Sequence, residues 1–478
     1  MTVLKVAAGL FALATANAAT AQHQHHEPAP EPQAEPAPQP EAEPAEEHQH
    51  HAPKSASEPQ PPAAPEPVDH SRMDHGAAPS PAPDDHAAMD HGAGMSGALG
   101  PYPMAREASG TAWQPDSSEH GGLHLANGDW SFMLHGNVDL VHSWQEKPRG
   151  DSKTFVAGML MGMARRPVGD GALQLKAMVS PDPLMGKSGY PLLLASGETA
   201  DGETMLVDRQ HPHDFFMELS ASISQNIGPK TSLFLYGGLP GEPAFGPPAF
   251  MHRQSISASP EAPIAHHWLD STHITFGVLT AGVVHDNFKL EASRFNGREP
   301  DQHRWNIETG PLDSTSVRVS WNPARTLALQ ASWAHLEDPE QLEPGVDQKR
   351  WSASGTWTRP MANGWWSTTL AWGRKKVEGE AFDAYALESS LSWKDWTLFG
   401  RGEVTENNEL IEGEHGHHGE AFRVGKVSLG LVRDFRLTPN LKLGLGGLYA
   451  LNFVPGELEE VYGGDPNGAM AFVRLKLD

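Results

Sequence analysis

The chain has 478 residues, 38% of them hydrophobic and 20% charged, with 48 glycines, 41 prolines and no cysteine. Its formal net charge of −25 argues against nucleic acid as a partner and suits cations. Without cysteine there are no thiolate metal sites and no disulfides, so a secreted chain must hold together by other means, and a closed sheet is one.

The N-terminus reads as an address. Met1 to Lys5 is a weakly basic start, Val6 to Ala14 is apolar, and two small-x-small sites follow at Ala16-Asn17-Ala18 and Ala19-Thr20-Ala21. This pattern predicts a secretory signal peptide over 1–21, cleaved before Gln22. The apolar run is too short to be a membrane-spanning helix.

A tail is expected over 22–112. Its first part, to Gly100, holds sixteen prolines, ten histidines, fourteen acidic residues and two basic ones, with no Phe, Trp, Tyr or Ile. Such a composition cannot bury enough apolar surface to offset the entropy of ordering, so the tail reads as disordered and extended. Within it Asp69-His70-Ser71-Arg72-Met73-Asp74-His75-Gly76 recurs as Asp85-His86-Ala87-Ala88-Met89-Asp90-His91-Gly92. Imidazole suits copper and zinc, and thioether sulfur selects Cu(I), so His70, Met73, His75, His86, Met89 and His91 are candidate ligands. The competing reading is a solvated linker in which the histidines are incidental.

From 113 to 478 the hydrophobicity alternates with period two. In the segment beginning at Trp130, Phe132, Leu134, Val138 and Leu140 fall on one face and Met133, His135 and Asp139 on the other. About sixteen such strands are expected, at 130–145, 153–165, 171–180, 213–227, 230–239, 271–284, 286–296, 314–322, 325–336, 349–359, 364–375, 382–394, 396–406, 420–435, 439–454 and 467–477. Short connections such as Lys394-Asp395 alternate with long ones such as 181–211 and 240–270. Tryptophans gather near predicted strand ends, as in interfacial girdles. The expected fold is therefore all-β, an antiparallel transmembrane barrel of about 16 strands, with 12 to 16 admitted. An even strand number puts both chain ends on the short-turn side, which is the periplasm of an outer-membrane barrel.

The Met-Asp-His units ahead of a barrel resemble the copper resistance protein B family. Stretches such as 189–202, DRQHPHDFF at 208–216, 235–253 and 266–277 look closer to an uncharacterised group of proteobacterial outer-membrane proteins. The resemblance implies copper handling, with zinc or another divalent metal also admitted.

Two loops offer a second candidate site. Asp208, His211, His213 and Asp214 come from the first, and His252, His266, His267, Asp270 and His273 from the second and the strand after it. They flank one hairpin and can converge at a mouth of the barrel to bind a borderline metal. Alternatively these groups satisfy backbone, with Arg209 and Arg253 pairing the carboxylates. The Pro- and Gly-dense run from Gly237 to Pro248 suggests fixed turns that fold inward. A third cluster, Glu414 to Glu420, has three histidines and two carboxylates that could catch a cation at the cell surface, but the favoured reading is a solvated outer loop.

No G-x-S-x-G, H-E-x-x-H or P-loop occurs, so an enzyme is not expected. The favoured function is metal binding, homeostasis or resistance in the outer membrane, with copper foremost. A porin-like channel with the tail as spacer is the alternative, and a barrel enzyme comes third. A porin would use lumen charges such as Lys176, Glu218, Lys289, Glu291, Arg318 and Arg401. Expected partners are membrane lipid, metal ions and other metal-efflux components.

Overall fold

The computed structural model describes residues 96–119, 121–411 and 421–477. The signal peptide, both Asp-His-x-x-Met-Asp-His-Gly repeats and the 414–420 cluster lie outside the described residues.

Nineteen strands are present among the described residues. The first nine are β1 (Leu123–Asn127), β2 (Trp130–Gln145), β3 (Ser152–Val168), β4 (Gly171–Val179), β5 (Tyr190–Thr199), β6 (Met205–Gln210), β7 (Phe216–Gly228), β8 (Thr231–Gly238) and β9 (Val278–His285). Then follow β10 (Phe288–Phe295), β11 (Ser314–Ala324), β12 (Leu327–Leu336), β13 (Gln348–Met361) and β14 (Gly364–Val377). The last are β15 (Glu380–Trp393), β16 (Trp396–Asn407), β17 (Phe422–Thr438), β18 (Leu441–Phe453) and β19 (Asn467–Leu477).

Sixteen of them close into one antiparallel barrel. Each of β2, β3, β4 and β7 through β19 pairs with its neighbour, and β19 pairs back onto β2, Leu477 opposite Gly136. β1 continues the same edge of β2, Leu123 opposite Leu134, so it takes over where β19 stops. Closure leaves no long unpaired edge, which a membrane would not tolerate.

The alternation of facing follows the expected register. Phe132, Leu134, Val138 and Leu140 are exposed on the outer wall, while Met133 and Asp139 are buried inside. Exposed leucines recur on the outer face of strand after strand, among them Leu175, Leu235, Leu290, Leu370 and Leu429. A closed sheet with this outward apolar band is a membrane-spanning wall. Aromatic pairs mark its edge, with Phe288 stacked on Trp321 at 5.3 Å and Trp357 against Trp366 at 5.4 Å.

All eight connections at one end, the β1–β2 turn included, have two residues, for example Gly169-Asp170 and Lys394-Asp395. The other end carries the long connections, except for the tight Glu378-Gly379 turn between β14 and β15. Both ends of the barrel sheet lie on the short-turn side.

Three features depart from the sequence reading. The tail was expected to run to 112, but 97–118 is packed inside the short-turn end of the lumen. Ser224 and Ser232 donate to the carbonyls of Ala98 and Leu99, Lys289 donates to the Thr111 carbonyl, and Asn322 donates to that of Gln114. Trp113, Tyr102 and Leu99 supply the apolar contacts, and Arg106 pairs with Asp116 at 2.7 Å while stacking on Trp113. These anchors are scattered among polar residues, so no periodicity announces them.

The loop expected at 181–211 contains the hairpin β5–β6, whose register is broken by bulges. Leu192, Leu193 and Leu194 are wholly buried there. The strand expected from 271 begins only at Val278, because 271–273 forms a helical turn tied back to Asp270.

The 239–277 loop crosses the lumen, as its rigid composition suggested. Ser293 and Ser332 accept from the backbone of Ala244 and Gly246, and Arg318 donates to the carbonyls of Phe245 and Gly246. On the far wall Trp268 donates to Phe382, and Arg401 and Lys426 engage Glu261. The wall charges Lys176, Glu218, Lys289, Glu291, Arg318 and Arg401 all face inward and are buried. Lys176, Lys289, Arg318 and Arg401 bond to the folded-in segments, while Glu218 and Glu291 pair with these cations on the wall itself.

Candidate functional site

The site is built where the two long loops meet inside the barrel. Pro212 sits between His211 and His213 just after β6, and the single helical turn α1 (His266–Leu269) carries His266 and His267. His273 ends the following turn.

These five histidines come together. Ring centroids lie 5.2 Å apart for His213–His273 and His266–His273, 5.5 Å for His266–His267 and 5.6 Å for His211–His267. Phe250 packs against His213, His266 and His273. All five are buried rather than placed at an exposed mouth.

Four of them are oriented in one way. Nδ1 of His213 is 2.9 Å from Asp182 Oδ2, that of His266 is 3.0 Å from Asp270 Oδ1, and that of His267 is 3.2 Å from Glu299 Oε1. Nδ1 of His273 is 2.7 Å from the Asp270 carbonyl. Carboxylate and carbonyl oxygens accept, so each Nδ1 carries the proton and each Nε2 keeps its lone pair in the neutral ring. Nε2 of His213, His267 and His273 is buried with no hydrogen-bond partner among the described residues. A ring held through Nδ1 by an outer carboxylate, with a bare Nε2, is the arrangement of metal-ligating histidine.

His211 differs. Its Nε2 is 3.1 Å from Glu198 Oε1, and Glu198 also pairs with Arg304. Arg304 holds Asp214 at 3.1 Å, so Asp214 braces the loop and does not join the histidines. His252 also stands off, its ring 6.1 Å from that of His135 on β2. Asp208 pairs with Arg149 and accepts from Tyr462.

Asp270 is the hub. It accepts from His266, from the His273 ring through its carbonyl, and from Arg253 at 2.5 Å. Arg253 in turn grips Glu388 with two hydrogen bonds, of 2.8 and 2.6 Å. The carboxylate-pairing role weighed for Arg253 is therefore real and coexists with the histidine cluster.

Burial, with help from Arg304 and the neighbouring rings, holds His211 well below the usual imidazole range. Burial does the same to His273 and also lowers His266, where Asp270 opposes it. Burial also works against the charge on His267, but Glu299 outweighs it and raises the group. Burial pushes Glu198 up to about 7.

Backbone strain collects here. Leu194, Glu198 and Asp208 adopt the left-handed region at φ 69°, 58° and 56°. Gly197, at φ +105°, lies so close to His267 that a Cβ would stand 2.7 Å from the ring.

The cluster is not a closed cage. Among the described residues, the one set of three candidate ligands with donor atoms all within 4.8 Å of one another is His335, Glu337 and Asp347, at the long-loop end. The five buried rings must close in to share one ion.

The residues overlooked in the sequence line the wall beside this cluster. Met159, Met161, Met178 and Met217 are buried together, with Met163 and Met251 packed against them. Their signal was methionine recurring at every second position through Met159, Met161 and Met163.

No family model matches the chain, and no curated protein matches it. Among solved structures it is similar to OmpF of Salmonella typhi, solved in complex with daunomycin (TM-score 0.47, 10% identity, 74% of this chain and 100% of that one). It is also similar to a loop-deleted OmpT of Vibrio cholerae (0.42, 10%, 73% and 99%) and to an anion-selective porin of Comamonas acidovorans (0.40, 14%, 73% and 100%). At those scores the likeness carries no argument about activity, and the barrel rests on its own strand register.

Proposed function

We propose that this chain is an outer-membrane barrel that takes a transition-metal ion, copper foremost, into a histidine cluster inside its lumen. The observation that carries the reading is the set of buried Nε2 atoms on His213, His267 and His273 that have no hydrogen-bond partner among the described residues, each ring fixed through Nδ1. Leaving such buried atoms unpaired is costly unless something binds them. The tail repeats would collect the ion on the short-turn side, which this reading places in the periplasm.

The test is chelator-competition titration of the refolded full chain with Cu(II) and Zn(II), beside the His213→Ala/His273→Ala variant. The reading expects the variant to lose its tightest site for both ions. Identical titrations would overturn it.

A solute channel is the second reading, favoured by the mixed charges on the inner wall. Against it, the cationic ones, Lys176, Lys289, Arg318 and Arg401, are already bonded to segments that fill the lumen from both ends. Planar-bilayer recording separates the two, because an open channel conducts steadily without metal.

A further inference from the structure

The methionines beside the histidine cluster are ordered by the barrel register. Met161 on β3 lies opposite His135 on β2 and, on its other side, opposite Met178 on β4. Two residues further along β3, Met163 lies opposite Met133. Inward-facing neighbours along a strand are two residues apart, so Met159, Met161 and Met163 descend the wall over about 13 Å. The ladder adjoins the histidine site through Ile274, which follows His273 in the chain and belongs to the same buried cluster as Met159, Met161, Met178 and Met217. Its foot is on the short-turn side. One rung below Met163, Arg165 donates to the carbonyls of Ser96 and Gly97, where the described chain begins. The second tail repeat ends at Gly92, four residues earlier.

Methionine also fills irregular gaps in ordinary cores. The rest of this lumen argues against that explanation. The largest buried apolar cluster has 23 members, of which only Met185 and Met470 are methionine, the others being mainly Leu, Phe, Val, Ile and Ala. Beside the histidines, four of six buried members are methionine, and both flanking residues are too. Where filling is the sole need the chain uses branched and aromatic side chains, and here it uses thioethers. Uncharged thioether sulfur is a poor ligand for Zn(II) and a good one for Cu(I) and Ag(I).

We infer that Met133, Met159, Met161, Met163 and Met178 form a relay for a soft monovalent cation of the Cu(I) or Ag(I) class, linking the histidine cluster to the short-turn mouth. This rests on the metal reading of the cluster and specifies the ion and its route. Each step is ligand exchange between neighbouring sulfurs, with no change of oxidation state.

The test uses the refolded full chain with Ag(I) as the probe and Zn(II) as the contrast. The variant Met161→Leu/Met163→Leu/Met178→Leu keeps side-chain bulk and removes sulfur. After desalting against a weak competitor, the variant should retain roughly one fewer Ag(I) per chain and the same Zn(II). His213→Ala/His273→Ala should do the reverse for Zn(II). Unchanged Ag(I) in the methionine variant would overturn the relay while leaving the histidine site standing. Unchanged Zn(II) in the histidine variant would overturn the cluster whatever the methionines do. Heat-modifiable migration checks folding. If the triple variant does not fold, anomalous diffraction from Ag(I)-soaked wild-type crystals decides, with peaks at the Met161 and Met178 sulfurs expected and their absence refuting the relay.

Discussion

Arg253, on the loop that crosses the lumen, grips Glu388 of β15 through two hydrogen bonds of 2.8 and 2.6 Å. Both side chains are wholly buried. Removing one partner leaves the other charged and unpaired, at a cost of about 3–5 kcal/mol. Arg253→Ala should therefore free the loop and with it Asp270, the hub of the histidine site. Chymotrypsin cleavage near Phe250 and Trp268 should accelerate in folded protein while the barrel survives. Unchanged cleavage would mean the loop is held by its other contacts alone.

Acid should loosen the same region. His211, His266 and His273 are held below the usual imidazole value, chiefly by burial. As pH falls through about 6.5 the unfolded loop takes up protons before the native one does. The stability from their neutral packing is thus present above the unfolded value and is lost as pH falls toward the folded one. His267, raised by Glu299, acts in the opposite sense. Amide protection over 266–273, corrected for the intrinsic slowing of exchange in acid, should fall between pH 7 and 5, and unchanged protection would contradict the burial argument.

The plug at the short-turn end makes a separate claim. Residues 97–118 are anchored by Arg106–Asp116 and by wall contacts from Lys289, Arg318 and Asn322. Limited proteolysis of folded protein should stop near Ser96, leaving Trp113 and Thr111 attached. Trimming to residue 113 would restore the boundary expected from composition.

Gly197 offers a narrow probe. A methyl group there meets both a left-handed backbone and the His267 ring at 2.7 Å. Gly197→Ala should weaken metal binding several-fold with little change in barrel stability, read by titration and by heat-modifiable migration. Equal effects on both would show a fold defect instead.

Much of the wall was legible because one face of every strand is apolar. Each of the sixteen barrel strands overlaps an expected one, and Phe132 and Met133 face as the alternation requires. The interior was less legible. His211, His213, His266, His267 and His273 were picked out as a set, yet Asp214 and His252 went with them although one braces Arg304 and the other faces His135. Spacing across two loops gives proximity but not which carboxylate each ring will meet. The plug and the β5–β6 hairpin were missed because their order comes from wall contacts far away in sequence, not from any local period. The methionine ladder was missed for a simpler reason, since methionine on a lumen face looks like ordinary filling until the register lines it up.

The central claim is that the lumen histidines bind metal in the cell's own protein. The most direct measurement is the copper content of full-length protein purified from copper-fed cells, with His213→Ala/His273→Ala prepared in parallel. The account predicts copper in the wild type that the variant lacks, over and above the share held by the unaltered tail. Equal copper in the two proteins would contradict it.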